Sequence, residues 1–311
     1  MIHFDPQALY RALPELDTQS VDPALATVWR QFYQLDLAQQ ALEVECRLGR
    51  VQVAGYRIAM QVCRPAQAVA TVLLLHGYYD HMGLYGHVYN WAFRQGFAVL
   101  SCDLPGHGLS SGARASIKSF QEYQQVLQAL LAKAEQLRLP KPWHLLGQST
   151  GAAIAVDYLL TQQPRSDLGE TILLAPLVRP RAWQQSKLLY QLVKPFRSSV
   201  PRRYSDNSHD RAFIEFVRHD PLQAHILPTA WVGALARWIP HIEHAKRSSC
   251  SPIIVQGQAD MTVDWPHNLD VLDSKFSAPR VLLLPEARHH LANESQHLRE
   301  QYFSFLSQQL R

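Results

Sequence analysis

Gly147-Gln148-Ser149-Thr150-Gly151 is a G-x-S-x-G pentapeptide set between an apolar run, Trp143 to Leu146, and a helix-like stretch, Ala152 to Leu160. A serine at a sharp strand-to-helix turn presents its hydroxyl as a nucleophile, and the flanking glycines leave room where a side chain would strike the adjacent strand or helix. Because a serine hydroxyl is a weak nucleophile near neutral pH, this chemistry needs a base in hydrogen-bond reach and a carboxylate to orient the base. The chain supplies both in the order Ser, Asp, His. Asp260 follows the apolar run Pro252 to Gln256 through Gly257, Gln258 and Ala259, and His289 follows the run Arg280 to Leu284 through a short loop. Asp264 and His290 are their nearest rivals, with Asp264 placed to cap a helix beginning near Pro266.

The oxyanion formed on an attacked carbonyl needs N–H donors already aimed at it. Thr150 offers one at the amino end of the helix after Ser149, where unpaired N–H groups and the helix dipole coincide. Tyr78, in the loop His76-Gly77-Tyr78-Tyr79-Asp80-His81, is the expected second donor. His81, Gln148, Trp183 and Trp231 are candidate substrate-binding residues, whereas His76 and His107 are expected to hold their loops by hydrogen bonds. No H-E-x-x-H or carboxylate-flanked histidine cluster accompanies the fifteen histidines, so neither a metal nor any other cofactor is expected.

These residues need a scaffold that brings them together. Short apolar runs at Thr71 to Leu75, Phe97 to Ser101, Trp143 to Leu146, Thr171 to Ala175, Pro252 to Gln256 and Arg280 to Leu284 have the length and β-branched content of buried strands. Helical patterns at Ser119 to Leu137, Gly151 to Gln162 and Ser295 to Leu310 alternate with them, which predicts an α/β fold with a mostly parallel sheet covered on both faces. Carboxyl ends of parallel strands share one sheet edge, so Ser149, Asp260 and His289 are expected to converge there. Alternation around Gly55 and Tyr56 predicts an antiparallel hairpin at the sheet's margin. Residues 1–40 read as a helical extension with Pro23 at a helix start.

About 75 residues separate the strand ending at Ala175 from that beginning at Pro252, against roughly 20 to 30 for an ordinary loop and helix. The predicted organisation is therefore an extension at 1–40, a core at 41–175 and 251–311, and a helical cap inserted at 176–250. Helix-like stretches there are Ala182 to Leu192, Arg211 to Val217 and Pro228 to Trp238. The insertion holds twelve Lys and Arg against five Asp and Glu, which suits either a solvated basic face or recognition of an apolar substrate with an anionic head group.

With 311 residues, 47% of them hydrophobic and 18% charged, the chain has material for one large core. Cys46, Cys63, Cys102 and Cys250 show no C-x-x-C spacing and are read as reduced thiols, with an expected location in the cytoplasm, membrane association through the basic insertion being an alternative. No apolar stretch of about 18 residues is present, and Met1 to Arg11 carries Asp5 and Pro6 rather than a basic, then apolar, leader. A net charge of +4 without basic runs interleaved with aromatics argues against nucleic acid as a partner.

Five segments together carry a resemblance. They are His76-Gly77-x-x-Asp80-His81-x-Gly83-x-Tyr85, Asp103-Leu104-Pro105-Gly106-His107-Gly108-x-Ser110-x-Gly112, the G-x-S-x-G run, Gly257-Gln258-Ala259-Asp260, and Ala287-Arg288-His289-His290-Leu291 with Glu294. The set resembles the monoacylglycerol lipase and lysophospholipase branch of the α/β-hydrolases, with its serine aminopeptidase-like members, from about Val51 to the C-terminus. Only His219-Asp220-Pro221-Leu222 matches within the insertion. The resemblance implies a Ser149-His289-Asp260 triad, a donor in the residue after His76-Gly77, a cap after the sixth strand and acyl esters as substrates. Two departures stand out: Tyr78 is bulky where small residues are common, and the N-terminal extension has no counterpart.

Three other readings follow from the same residues. An exopeptidase would need an acid in the insertion for a substrate's free amine, with Glu215, Asp220 and Glu243 as candidates. A ligand-binding homologue would keep the fold without turnover. A docking protein would use the basic insertion against an acidic membrane or protein, through residues such as Arg202 and Arg203.

Overall fold

The structure is a computed structural model, and it describes residues 4–17, 21–35, 43–163 and 165–310. Parts of the expected 1–40 extension, at 1–3, 18–20 and 36–40, lie outside the described residues. Within the rest of it, α1 (Pro6–Ala12) and α2 (Pro23–Phe32) both begin on a proline behind an aspartate whose carboxylate caps the first turn.

The apolar runs become strands. β1 (Val44–Val53) and β2 (Tyr56–Pro65) form the hairpin, turning at Ala54 and Gly55, both with positive φ as a tight two-residue hairpin requires. Then follow β3 (Ala70–Leu75), β4 (Phe97–Cys102), β5 (Trp143–Gln148) and β6 (Leu168–Leu174). All residues of β3, β4 and β5 are buried, which is why these runs are continuously apolar rather than alternating. With β9 (Ile253–Gly257) and β10 (Arg280–Leu284) they make one eight-stranded sheet in the order β1-β2-β4-β3-β5-β6-β9-β10. Within this sheet, among the described residues, β1–β2 and β2–β4 pair antiparallel and the other pairs are parallel.

Helices cover both faces. α3 (Gly86–Arg94) and α10 (Gln296–Gln309) lie on one side, where Trp91 stacks on Phe303 and where α1 and α2 add Leu9 and Trp29 to the same core. α4 (Phe120–Gln136), opened by a Ser119–Glu122 capping box, and α5 (Thr150–Thr161) lie on the other. α9 (Trp265–Lys275) connects β9 to β10. Between β6 and β9, residues 176–250 form α6 (Trp183–Val193), β7 (Ser199–Pro201), α7 (Arg211–His219), β8 (Ile226–Pro228) and α8 (Thr229–Glu243). β7 and β8 pair with each other and not with the main sheet. Among the described residues, no helix is long and apolar enough to cross a membrane.

One reading is corrected. Cys46 and Cys63, taken as reduced thiols, form a disulfide, because the hairpin register sets them directly opposite with Cα atoms 4.1 Å apart. Their separation of 17 residues hides this in the sequence, since it becomes a cross-strand pair only once the turn at 54–55 fixes the register. The reduced-thiol argument for a cytoplasmic location therefore lapses.

Candidate active site

Ser149 sits at the β5-to-α5 turn with φ 53° and ψ −109°, a left-handed φ that non-glycine residues seldom adopt. The turn is held by the Ser149 N–H on the Leu174 carbonyl (2.9 Å), and the glycines set its tightness. A Cβ on Gly151 would lie 2.1 Å from the Leu75 carbonyl oxygen, and one on Gly147 2.3 Å from the Gly151 backbone. Neither position tolerates a side chain without moving a strand or the helix.

The loops after β9 and β10 bring Asp260 and His289 to Ser149. His289 Nε2 is 2.9 Å from Ser149 Oγ, and His289 Nδ1 is 2.7 Å from Asp260 Oδ2. A carboxylate only accepts, so Nδ1 carries the hydrogen and Nε2 is left to take the serine proton. Asp260 Oδ1 is fixed by the N–H groups of Thr262 (2.7 Å) and Val263 (3.1 Å). Burial alone would raise the Asp260 carboxyl, but the His289 imidazole and those N–H groups outweigh it and hold the group below its usual range. Burial likewise opposes the charged His289, yet the facing Asp260 carboxylate dominates and raises its pKa.

The rivals are engaged elsewhere. Asp264 occupies the N-cap position of α9, but its carboxylate takes both Nε (2.8 Å) and Nη2 (2.6 Å) of Arg179 instead of capping the helix. His290 points away, with Nε2 3.2 Å from Asp80 and its ring against Phe213.

Opposite Ser149 runs the loop after β3. Gly77 packs so closely that a Cβ there would be 3.5 Å from the Ser149 Cβ. Tyr85 accepts from the Gly77 N–H (2.9 Å) and donates to Asp80 Oδ2 (2.8 Å), fixing the loop's path. Tyr78 is held at both ends: its hydroxyl donates to the Ala115 carbonyl (2.7 Å), and its ring stacks on Trp231 at 3.8 Å. Among the described residues neither the Tyr78 nor the Thr150 N–H donates to a protein acceptor. Thr150 adjoins Ser149 in the chain, and Tyr78 follows Gly77, which faces the serine side chain. His76 Nδ1 lies 2.7 Å from the Gly77 carbonyl and Nε2 accepts from the Leu104 N–H, while burial pushes its pKa down to about 3. His107 is held by the Pro105 carbonyl and pushed down to about 4, again by burial. Both histidines are loop fasteners.

The four expected substrate-binding residues divide. Trp231 reaches the Ser149 region through its stack on Tyr78 and donates to the Tyr123 hydroxyl (3.2 Å). Gln148 is fully buried and works on the histidine loop, accepting from the Ala292 N–H at 2.9 Å. Trp183 is buried at the start of α6 in the core. His81 is not brought to the serine: it is fully buried and its Nε2 pairs with Asp220 Oδ2 at 2.8 Å. Burial would lower its pKa, but the Asp220 carboxylate raises it. A cavity of about 280 Å³ between α2, α3 and α7, lined by Phe32, Tyr33, His87 and Phe213, includes none of Ser149, Asp260 and His289.

The contact between Tyr79 and Arg202 escaped the sequence reading, which named Arg202 only as a basic residue of the insertion. Arg202, 4.0 Å above the Tyr79 ring, comes from the insertion more than a hundred residues away, and only its place in a basic segment marked it beforehand.

Comparison with known proteins follows the same outline. Residues 66–296 match the family described as serine aminopeptidase, S33. Phospholipase YtpA of Bacillus subtilis is 35% identical over 95 residues, 30% of this chain and 36% of that protein. The chain spans only 12% of a further curated relative. A monoglyceride lipase of Rattus norvegicus is 24% identical over 233 residues, covering 72% of this chain and 76% of that one. Among solved structures, a soluble variant of monoglyceride lipase from Saccharomyces cerevisiae in complex with a substrate analogue superposes with TM-score 0.72 at 17% identity, over 85% of this chain and 94% of that one. At that identity the likeness is one of fold.

Proposed function

The chain belongs to the serine aminopeptidase S33 family, and from that premise we propose that it is a serine hydrolase of carboxylic esters, monoacylglycerols or lysophospholipids among them. The observation that carries the proposal is the hydrogen-bond chain Ser149 Oγ–His289 Nε2 (2.9 Å) and His289 Nδ1–Asp260 Oδ2 (2.7 Å). Ser149 Oγ attacks the ester carbonyl as His289 takes its proton, and Asp260 fixes the imidazole tautomer. The tetrahedral oxyanion accepts from the Tyr78 and Thr150 N–H groups. His289 then protonates the leaving alcohol, the carbonyl re-forms as an acyl-Ser149 ester, and water deprotonated by His289 releases the acid and the serine. The route uses no metal or other cofactor.

Residues 176–250 act as a lid in this reading, since Trp231 covers the oxyanion loop from α8. Names borne by the relatives, phospholipase and monoglyceride lipase, favour lipid esters. The lid's surface agrees: Leu188, Leu189, Leu192 and Phe196 are exposed, Phe196 at 84%, beside Lys187, Lys194 and Arg197. Apolar side chains edged by cations suit peripheral contact with an anionic lipid surface. Arg202, considered earlier for that contact, is partly buried against Tyr79, whereas Arg203 is exposed.

An aminopeptidase needs an acid free to meet a substrate's amine, and the three candidates are occupied. Asp220 is buried against His81, Glu243 pairs with His267 (2.9 Å), and Glu215 faces solvent beside Arg218 and His219. The test is hydrolysis of p-nitrophenyl esters from acetate to palmitate by the wild type and Ser149→Ala in parallel. Ester turnover lost in the variant supports the proposal. Cleavage of an amino-acid anilide without ester turnover favours the peptidase, and inertness toward all of these favours a ligand-binding homologue.

A further inference from the structure

Arg202 is clamped between two rings, its guanidinium 4.0 Å from the centroid of Tyr79 and 4.4 Å from that of Tyr204. The clamp continues a chain of ring contacts that begins in the lid: Trp231 stacks on Tyr78 (3.8 Å), Tyr78 meets Tyr79 at a tilt (4.2 Å), and Tyr79 lies under Arg202. Tyr78 is the expected oxyanion donor and Gly77, before it, faces the Ser149 side chain, so the ring that carries the guanidinium belongs to the loop opposite the nucleophile. Its orientation is fixed from one side only. Nη1 donates to Gln223 Oε1 (2.5 Å) and to the Ala224 carbonyl (3.1 Å), while Nε and Nη2 have no protein acceptor among the described residues.

The charge is also unpaired. No carboxylate among the described residues lies within ion-pair distance of Arg202. Two acids in the vicinity are committed: Asp220, which accepts from the Gln223 side chain (3.3 Å), pairs with His81, and Asp80 accepts from Tyr85 and faces His290. Burial accordingly lowers the guanidinium's pKa. A partly desolvated cation without a counter-ion is costly to hold unless something else supplies the negative charge, and aromatic faces compensate only in part.

We propose that Arg202 is a specificity-determining residue that binds an anionic oxygen group, phosphate or carboxylate, on the alcohol part of the ester cleaved at Ser149. The free Nε–Nη2 edge is the fork that engages two oxygens of such a group side by side, and Tyr79 and Tyr204 hold that edge in place. The inference rests on the ester-hydrolase reading and adds the substrate's charge to it.

The test compares soluble short-chain monoacyl esters that share one acyl group: a glycerol ester (neutral), a glycerol phosphate ester and a glyceric acid ester. Each is assayed below its aggregation concentration with the wild type, Arg202→Gln, Arg202→Lys and Arg203→Gln. A charge-assisted fork predicts that the ratio of kcat/KM for the better anionic ester over the neutral ester falls about ten- to a hundredfold in Arg202→Gln, mostly in KM, and only partly in Arg202→Lys. Arg203→Gln, which removes the same formal charge next door, leaves the ratio within about twofold. Whether phosphate or carboxylate shows the larger fall identifies the anion. An unchanged ratio in Arg202→Gln, or equal falls in Arg202→Gln and Arg203→Gln, overturns the proposal.

A second arm needs no turnover. Calorimetric titration of Ser149→Ala with glycerol phosphate and with glycerate is expected to show binding of one of them that disappears in the Ser149→Ala, Arg202→Gln double variant. Binding of neither anion, or equal binding by both proteins, overturns the proposal even if esters are hydrolysed. If binding depends on Arg202 while the wild type cleaves no ester, the anion site stands and the ester reading fails.

Discussion

The Tyr33 hydroxyl donates to Asp220 Oδ1 at 2.6 Å, joining the C-terminal end of α2 to the insertion at 176–250 across 187 residues of sequence. Asp220 Oδ2 holds His81 on its other side, so one buried carboxylate fastens α2, the insertion and the loop that approaches Ser149. The extension is thus part of the core's closure, and Tyr33 adds T-shaped contacts to His81 and Phe216.

Asp220→Asn leaves His81 buried without its counter-charge and is expected to destabilise the fold by about 3–5 kcal/mol in urea unfolding, as removal of one partner from a buried pair does. Tyr33→Phe removes only a hydrogen bond to a charged group and should cost about 1.5–3 kcal/mol.

The pH dependence of that difference has a defined shape. The raised folded pKa of His81 means its contribution is whole below 6.5 and fades as pH rises through the raised value. The lowered folded pKa of Asp220 means its contribution is whole above 3.8 and fades as pH falls through the lowered value. The stability gap between the wild type and Asp220→Asn should therefore be widest between these limits and narrow on either side, as measured by urea midpoints across pH.

Activity should follow His289. The imidazole must be neutral to take the serine proton, and Asp260 raises its pKa against the lowering effect of burial. The acid limb of kcat/KM is expected to have its midpoint above 6.5, the ordinary histidine value, with activity rising as pH rises through it. Asp260→Asn should cut kcat by about 10³–10⁴ through loss of the tautomer, and move that midpoint down. Asp264→Asn, which loses only the half-exposed pair with Arg179, should cost no more than about 1 kcal/mol of stability and leave the limb in place.

Gly151→Ala tests the nucleophile turn. Its new methyl would meet the Leu75 carbonyl oxygen at 2.1 Å and the His76 carbonyl oxygen at 2.8 Å, both backbone atoms that cannot swing aside. Loss of soluble, cooperatively folding protein is the expected outcome in expression and thermal melts. A well-folded Gly151→Ala with wild-type kcat would mean that the turn is looser than the packing implies.

What the sequence determined by itself is the set of local signals. Apolar runs located the six parallel strands to within a few residues: β3, β4, β5 and β9 are buried throughout and so apolar on both faces, while the edge strand β10 keeps an apolar run although Val281 and Leu283 are exposed. G-x-S-x-G marked the turn, since no other residue fits at 147 and 151, and the spacing of Asp260 and His289 behind β9 and β10 put both at the same sheet edge. Tertiary structure alone decided the pairings between distant segments. Cys46 meets Cys63 through hairpin register, His81 turns to Asp220 and Tyr33 rather than to the serine, and Arg202 lands on Tyr79 through the path of residues 176–250. Such contacts leave no period or motif in a single sequence. They arise from how elements pack after they form, when each buried charge must find whatever partner the packing places beside it.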